Sequence, residues 1–156
     1  MSRIKDLQKQ VHKVLEKMED EDKRLKAISH LHGVALAAAI LARKRGENAE
    51  LATIAGLLHD LHAYKAGSYD DHAHLGADYA RKVLKKLELT SPEETDIICT
   101  AIWNHDSKDT VGAPMDEILK DADVLHHTLG DPTKEVKEHE RERYEKLCEE
   151  LGLAEA

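Results

Sequence analysis

The 156-residue chain is predicted to fold as an all-α helical bundle. Apolar residues recur at three-or-four spacing along most of its length, helix start and stop signals punctuate it at short intervals, and no strand pattern, internal repeat or Ser/Gly-rich linker interrupts it. About seven helices follow, with a five-helix centre and a flanking helix at each end. A chain of this length suits one domain with one core, taken here as residues 1–156.

The elements read in order as follows. Ile4, Leu7, Val11, Leu15 and Met18 lie on one face and predict an amphipathic helix over 2–19. The acidic run Glu19 to Asp22 breaks that pattern. An alanine-rich helix then covers about 25–45 and stops at Gly46. Asn48 caps a third helix, about 49–64, and the loop "AGSYDD" follows. The fourth helix runs from near Asp71 to about Leu87. In "SPEE", Ser91 is a cap, Pro92 occupies the first helical position and Glu94 completes a capping box, so the fifth helix covers about 92–105. The loop "SKDTVGAP" leads to a sixth helix, about 115–129, ending at Gly130. Asp131-Pro132 opens a charged seventh helix that ends near Leu151 and reads as a solvated cover.

Composition narrows the function. A net charge of −8 disfavours a nucleic-acid coat protein, which needs a basic face. No N-terminal run resembles a signal peptide, and no apolar stretch reads as long enough to span a bilayer. Cys99 and Cys148 lack metal or redox spacing and read as free thiols, so a cytoplasmic location is expected. Phenylalanine is absent, which leaves the core to Leu, Ile, Ala and Val. Nine of the 11 histidines fall between His30 and His127, and histidine is the commonest metal ligand and acid–base group near neutral pH.

The segment "AGLLHDLHAYK", residues 55–65, poses the central question. Leu51, Ile54, Leu57, Leu58 and Leu61 mark a buried helix, yet His59 and Asp60 stand within it. Burying such groups is costly unless they are paired, hydrogen-bonded or bound to metal. Adjacent helix positions are about 100° apart, so both side chains can lean toward one point. An imidazole and a carboxylate together suit Mn²⁺, Fe²⁺, Co²⁺, Ni²⁺ or Zn²⁺. Further donors lie on the neighbouring helices: His30 and His32, His72 and His74, His105, then Asp121, Asp123, His126 and His127. A helix cap or a solvated face explains any one of them. Five successive helices each carrying a His or Asp in an apolar pattern point instead to a shared site. A ferritin-like diiron site would need Glu-x-x-His motifs and a zincin His-Glu-x-x-His; the central helices carry neither.

The order His, His-Asp, Asp resembles the HD-domain metal-dependent phosphohydrolases. "HGVALAAAILA" from His32, "AGLLHD" and "DADVLHH" match the family's successive motifs, and the resemblance covers about residues 28–130. It implies metal ligands His32, His59, Asp60 and Asp123, with His30 competing for the first place and Asp121 for the last. His72, four residues before Gly76-Ala77, and His105 would hold a second metal in dinuclear branches, with Asp60 bridging. The loop between Asp60 and His72 is shorter than in those branches, so one divalent ion is the primary expectation, Mg²⁺ being a further choice. Lys65 is displaced from the lysine position of the cyclic-dinucleotide branch.

The resemblance implies hydrolysis of a small-molecule phosphate ester, a nucleotide at family level, by metal-activated water. Phosphomonoester and phosphodiester cleavage are not distinguished. Asp60 would position the water, while His72 and His105 would stabilise the phosphoryl group or protonate the leaving oxygen. Lys65 would neutralise phosphate at the mouth, and His127 would contact substrate. The alternative is a catalytically silent metal- or nucleotide-binding module acting in regulation or protein interaction.

Overall fold

The computed structural model describes residues 2–154, which form eight α-helices and a 3₁₀ turn with no strand among the described residues. The helices are α1 (Arg3–Leu15), α2 (Glu21–Arg45), α3 (Ala49–Leu58), α4 (Leu61–Ala66), α5 (His72–Leu87), α6 (Pro92–Asn104), α7 (Pro114–Leu129) and α8 (Arg141–Leu151). The 3₁₀ turn is Glu138–Glu140.

Local chemistry accounts for most boundaries. The Asn48 side chain accepts from Leu51 N at 3.0 Å. Ser91 Oγ accepts from Glu94 N at 3.1 Å while Glu94 Oε1 accepts from Ser91 N at 3.0 Å, the reciprocal pair expected of a capping box. Asp20 caps α2 through Lys23 N, so the acidic run starts that helix rather than merely ending α1. Gly46 closes α2 at φ +73°, a conformation that costs glycine little.

The core is aliphatic. Leu7, Leu31, Leu41, Ile54, Leu57, Leu84, Ile98 and Ile102 are all buried. Its closest packing is α2 on α3. A Cβ placed on Gly56 would come within 2.6 Å of the Ala35 backbone, so a glycine facing an alanine sets how near the two helices lie. That contact positions the site. His30 is one turn before Val34, and His59 is one turn after Gly56, so close packing delivers the two imidazoles to the same place.

Three expectations change. The helix expected over 49–64 is two helices. The chain leaves helical geometry at Asp60 (φ −117°, ψ 7°), between α3 and α4. The seventh helix starts at Arg141 rather than Pro132. Val136 is the lone apolar residue between Asp131 and Arg141, so that stretch has no stripe to bury, whereas Leu147 of α8 packs into the core. By length and composition α2 could cross a bilayer, contrary to expectation, yet its Leu31, Val34, Ala38 and Leu41 are core residues.

Gly56→Ala should lower stability by about 1–3 kcal/mol, because the added methyl meets backbone that cannot rotate away. Urea unfolding monitored by circular dichroism checks this; an unchanged midpoint would contradict the packing described.

Candidate metal centre

Four side chains from α2, α7 and the α3–α4 junction converge in the interior. His30 Nε2 lies 3.1 Å from His59 Nε2, 3.3 Å from Asp60 Oδ2 and 3.1 Å from Asp123 Oδ1. His59 Nε2 is 3.4 Å from each of the same two carboxylate oxygens. All four residues are buried. Ligand atoms around one ion at about 2.0–2.2 Å are themselves roughly 3 Å apart, which is the spacing found here.

A second group shares Asp60. Its Oδ1 lies 3.3 Å from His105 Nε2 and 3.8 Å from His72 Nε2. Asp60 therefore turns one oxygen to each group. Asp60 Oδ1 and Asp123 Oδ1 are buried without a hydrogen-bond partner. Such orphaned carboxylate oxygens are costly, and a cation removes that cost. The donor set and its spacing fit a divalent metal.

Local geometry aims the imidazoles. His59 Nδ1 donates to Gly56 O at 2.7 Å, His105 Nδ1 to Ile102 O at 2.6 Å and His72 Nδ1 to Tyr69 O at 3.1 Å. Each bond reaches the carbonyl three residues back, near the end or start of a helix, and leaves Nε2 facing the site. His30 Nδ1 lies 2.8 Å from His126 Nδ1. Burial, then the neighbouring His30 and His127, pushes the His126 pKa down to about 4. His126 is therefore neutral and accepts the His30 Nδ1 proton. Gly33 makes room for that ring, since a Cβ there would sit 2.2 Å from His126 Cδ2.

Electrostatics bind the group together. Burial opposes charge on His59, but Asp60 and Asp123 outweigh it and raise its pKa to about 10. Burial also opposes charge on Asp60, yet the neighbouring His59, His105 and His30 hold its carboxyl well below the ordinary range. Asp123 is likewise held low against burial, chiefly by Lys108, whose Nζ is 2.8 Å from Asp123 Oδ2.

The HD domain family pattern matches residues 27–128. The chain belongs to the HD-domain family. A crystal structure of a predicted HD superfamily hydrolase from an uncultured Thermotogales bacterium shares the fold, with a TM-score of 0.61 and 23% identity over 92% of this chain and 88% of that one. No curated protein matches the chain.

Two sequence-derived placements in this HD domain need correction. His32 does not reach the centre: its Nε2 lies 2.8 Å from His12 Nε2, toward α1. His30 and His32 are about 200° apart around α2, so only one can face inward. His30 lies on the buried stripe of Ala27, Leu31, Val34, Ala38 and Leu41. Lys65 is not at the mouth either. Its Nζ lies over the Tyr79 ring, 4.7 Å from the ring centroid.

The remaining candidates divide. Asp121 binds Arg45 at 2.7 Å and Arg143 at 3.0 Å, away from the centre, leaving Asp123 as the convergent aspartate. His127 stands beside the centre; its Nε2 is 3.5 Å from Asp123 Oδ1 and its ring stacks on His30. His74 stacks on Trp103 instead, and His62 lies against Tyr79.

Sequence reading missed Lys108 and Glu140. Lys108 lies in the loop after α6, and buried Glu140 takes His127 Nδ1 at 2.8 Å. Both sit in polar stretches whose sequence carries no sign of burial. Arg143 of α8 secures the loop by donating to the carbonyls of Lys108 and Thr110.

The raised His59 pKa predicts a pH effect in chelator. His59 stabilises the fold fully below its ordinary value of 6.5, and that contribution is lost as pH rises through about 10. Thermal melts in chelator should therefore decline across this window in the native sequence and more shallowly in His59→Gln. Parallel profiles would contradict the charge assignment.

Proposed function

We propose that this HD domain is a metal-dependent phosphohydrolase that cleaves a small phosphate ester, with a nucleotide as the substrate class. The supporting observation is the buried His30, His59, Asp60, Asp123 group, in which Asp123 Oδ1 lacks a hydrogen-bond partner while Asp60 turns its own orphaned Oδ1 to His72 and His105. Those four residues would hold one divalent ion. Two imidazoles and two carboxylates suit Mn²⁺, Fe²⁺, Co²⁺, Ni²⁺ or Zn²⁺ better than Mg²⁺, which favours an all-oxygen shell. His72 and His105, with Asp60 Oδ1, offer a place for a second.

When bound, the metal supplies Lewis acidity toward a phosphoryl oxygen and lowers the pKa of water. The side chains supply the rest. Asp60 Oδ1 is turned away from the first group and can orient the attacking water or accept its proton. If the second place holds no ion, His105 and His72 face the same oxygen and can carry a proton to the leaving group. His127, partly exposed and braced by Glu140, can contact the phosphoryl oxygens. Tyr69 is exposed and edge-on to His72, offering an apolar surface for a base.

The test is metal analysis of purified protein followed by a nucleotide phosphatase screen. His30→Ala and Asp60→Ala should lose metal and activity, whereas His32→Ala keeps both. His126→Ala should weaken metal affinity roughly 10- to 100-fold by freeing the His30 ring. Metal retained in His30→Ala but lost in His32→Ala would overturn the ligand assignment. A metal-loaded protein inert toward every ester tested would favour the binding-module alternative.

A further inference from the structure

Lys65, displaced from the metal centre, lies in a groove between α1, α4 and α5. The groove has a volume of about 600 Å³, within the range of small-molecule sites. Val14, Met18, Val83 and Leu87 supply apolar surface, with Tyr64 and Tyr79 beside them. Four lysines, Lys17, Lys65, Lys82 and Lys86, are the charged residues of the lining, and no Asp or Glu contributes to it.

That charge pattern runs against the rest of the molecule. The chain has 31 acidic residues against 23 Lys and Arg, so a lining whose charged residues are all lysine is unexpected. Among the described residues the ion-paired lysines are Lys108, Lys120 and Lys146, and none belongs to the groove. Four ammonium groups around one concavity repel one another, and an anion placed among them relieves that repulsion. Lys65 Nζ already covers a face of Tyr79. The open apolar contacts are therefore mostly aliphatic.

We propose that this groove is a second binding site, for a small amphiphilic anion: a phosphate or carboxylate head held by the lysines, with an apolar body on the Val14, Met18, Val83 and Leu87 surface. It is distinct from the metal centre, since none of its residues belongs to either His/Asp group. Tyr64 forms a shared wall. It lines the groove and meets Tyr69, which in turn meets His72.

Amide NMR titration of the full chain tests the site, with AMP, decyl phosphate and inorganic phosphate as probes. AMP, decyl phosphate or both should give saturable shifts at Val14, Met18, Lys82, Val83 and Lys86, and bind roughly tenfold or more tighter than inorganic phosphate. The responding probe distinguishes a nucleoside body from an alkyl one. Lys82→Glu combined with Lys86→Glu should weaken binding at least roughly tenfold, and Lys17→Glu, on the α1 side, should also weaken it. All three lysines are exposed, so the amide spectra should retain the native dispersion. Asp60→Ala should leave groove binding intact, which separates this site from the proposed phosphohydrolase. Neither probe exceeding inorganic phosphate would overturn the proposal. So would unchanged binding in the charge-reversed chains, or loss of the shifts in Asp60→Ala. An acidic peptide that shifts these residues where both small probes fail would also overturn it.

Discussion

Two buried carboxylates, those of Asp60 and Asp123, demand positive charge at the centre of the bundle, and the surrounding structure is arranged to provide it. Neither can sit there unpartnered, because desolvating a carboxylate costs several kcal/mol. Lys108 answers one oxygen of Asp123, and His30 and His59 lie between the two acids. Shared positive charge, from a proton or a metal ion, completes the balance. The same requirement explains both the raised His59 pKa and the orphaned oxygens.

Holding those groups in register falls to residues with no chemistry of their own. Gly56 lets α3 lie against Ala35, which sets the separation between His30 and His59. Gly33 admits the His126 ring that orients His30, and backbone carbonyls at Gly56, Tyr69 and Ile102 orient three more imidazoles. The C-terminal segment adds the outer support. Arg143 holds the Lys108 loop, and Glu140 holds His127. What reads in sequence as a charged cover is thus fastened to the centre through Arg143 and Glu140.

Much of this was legible beforehand. Apolar spacing and caps such as Asn48 and Ser91-Glu94 act over one helical turn, so the all-α class and most boundaries followed directly from the residues. The pairing of His59 with Asp60 in an apolar run marked the site for the same local reason. The break after Leu58 was less visible, because a helix and a helix-turn-helix share their apolar pattern across the junction.

By itself, then, the sequence determined the helical class, the His-Asp position and the helices that would supply the other donors. Tertiary structure decided which member of each near pair turns inward: His30 over His32, through the phase of α2 on the core, and Asp123 over Asp121, through Arg45 and Arg143. It also decided that Lys65 belongs to a cationic groove and Lys108 to the centre. Both outcomes depend on how helices distant in sequence rotate and pack against one another, and no residue's immediate neighbours encode that rotation.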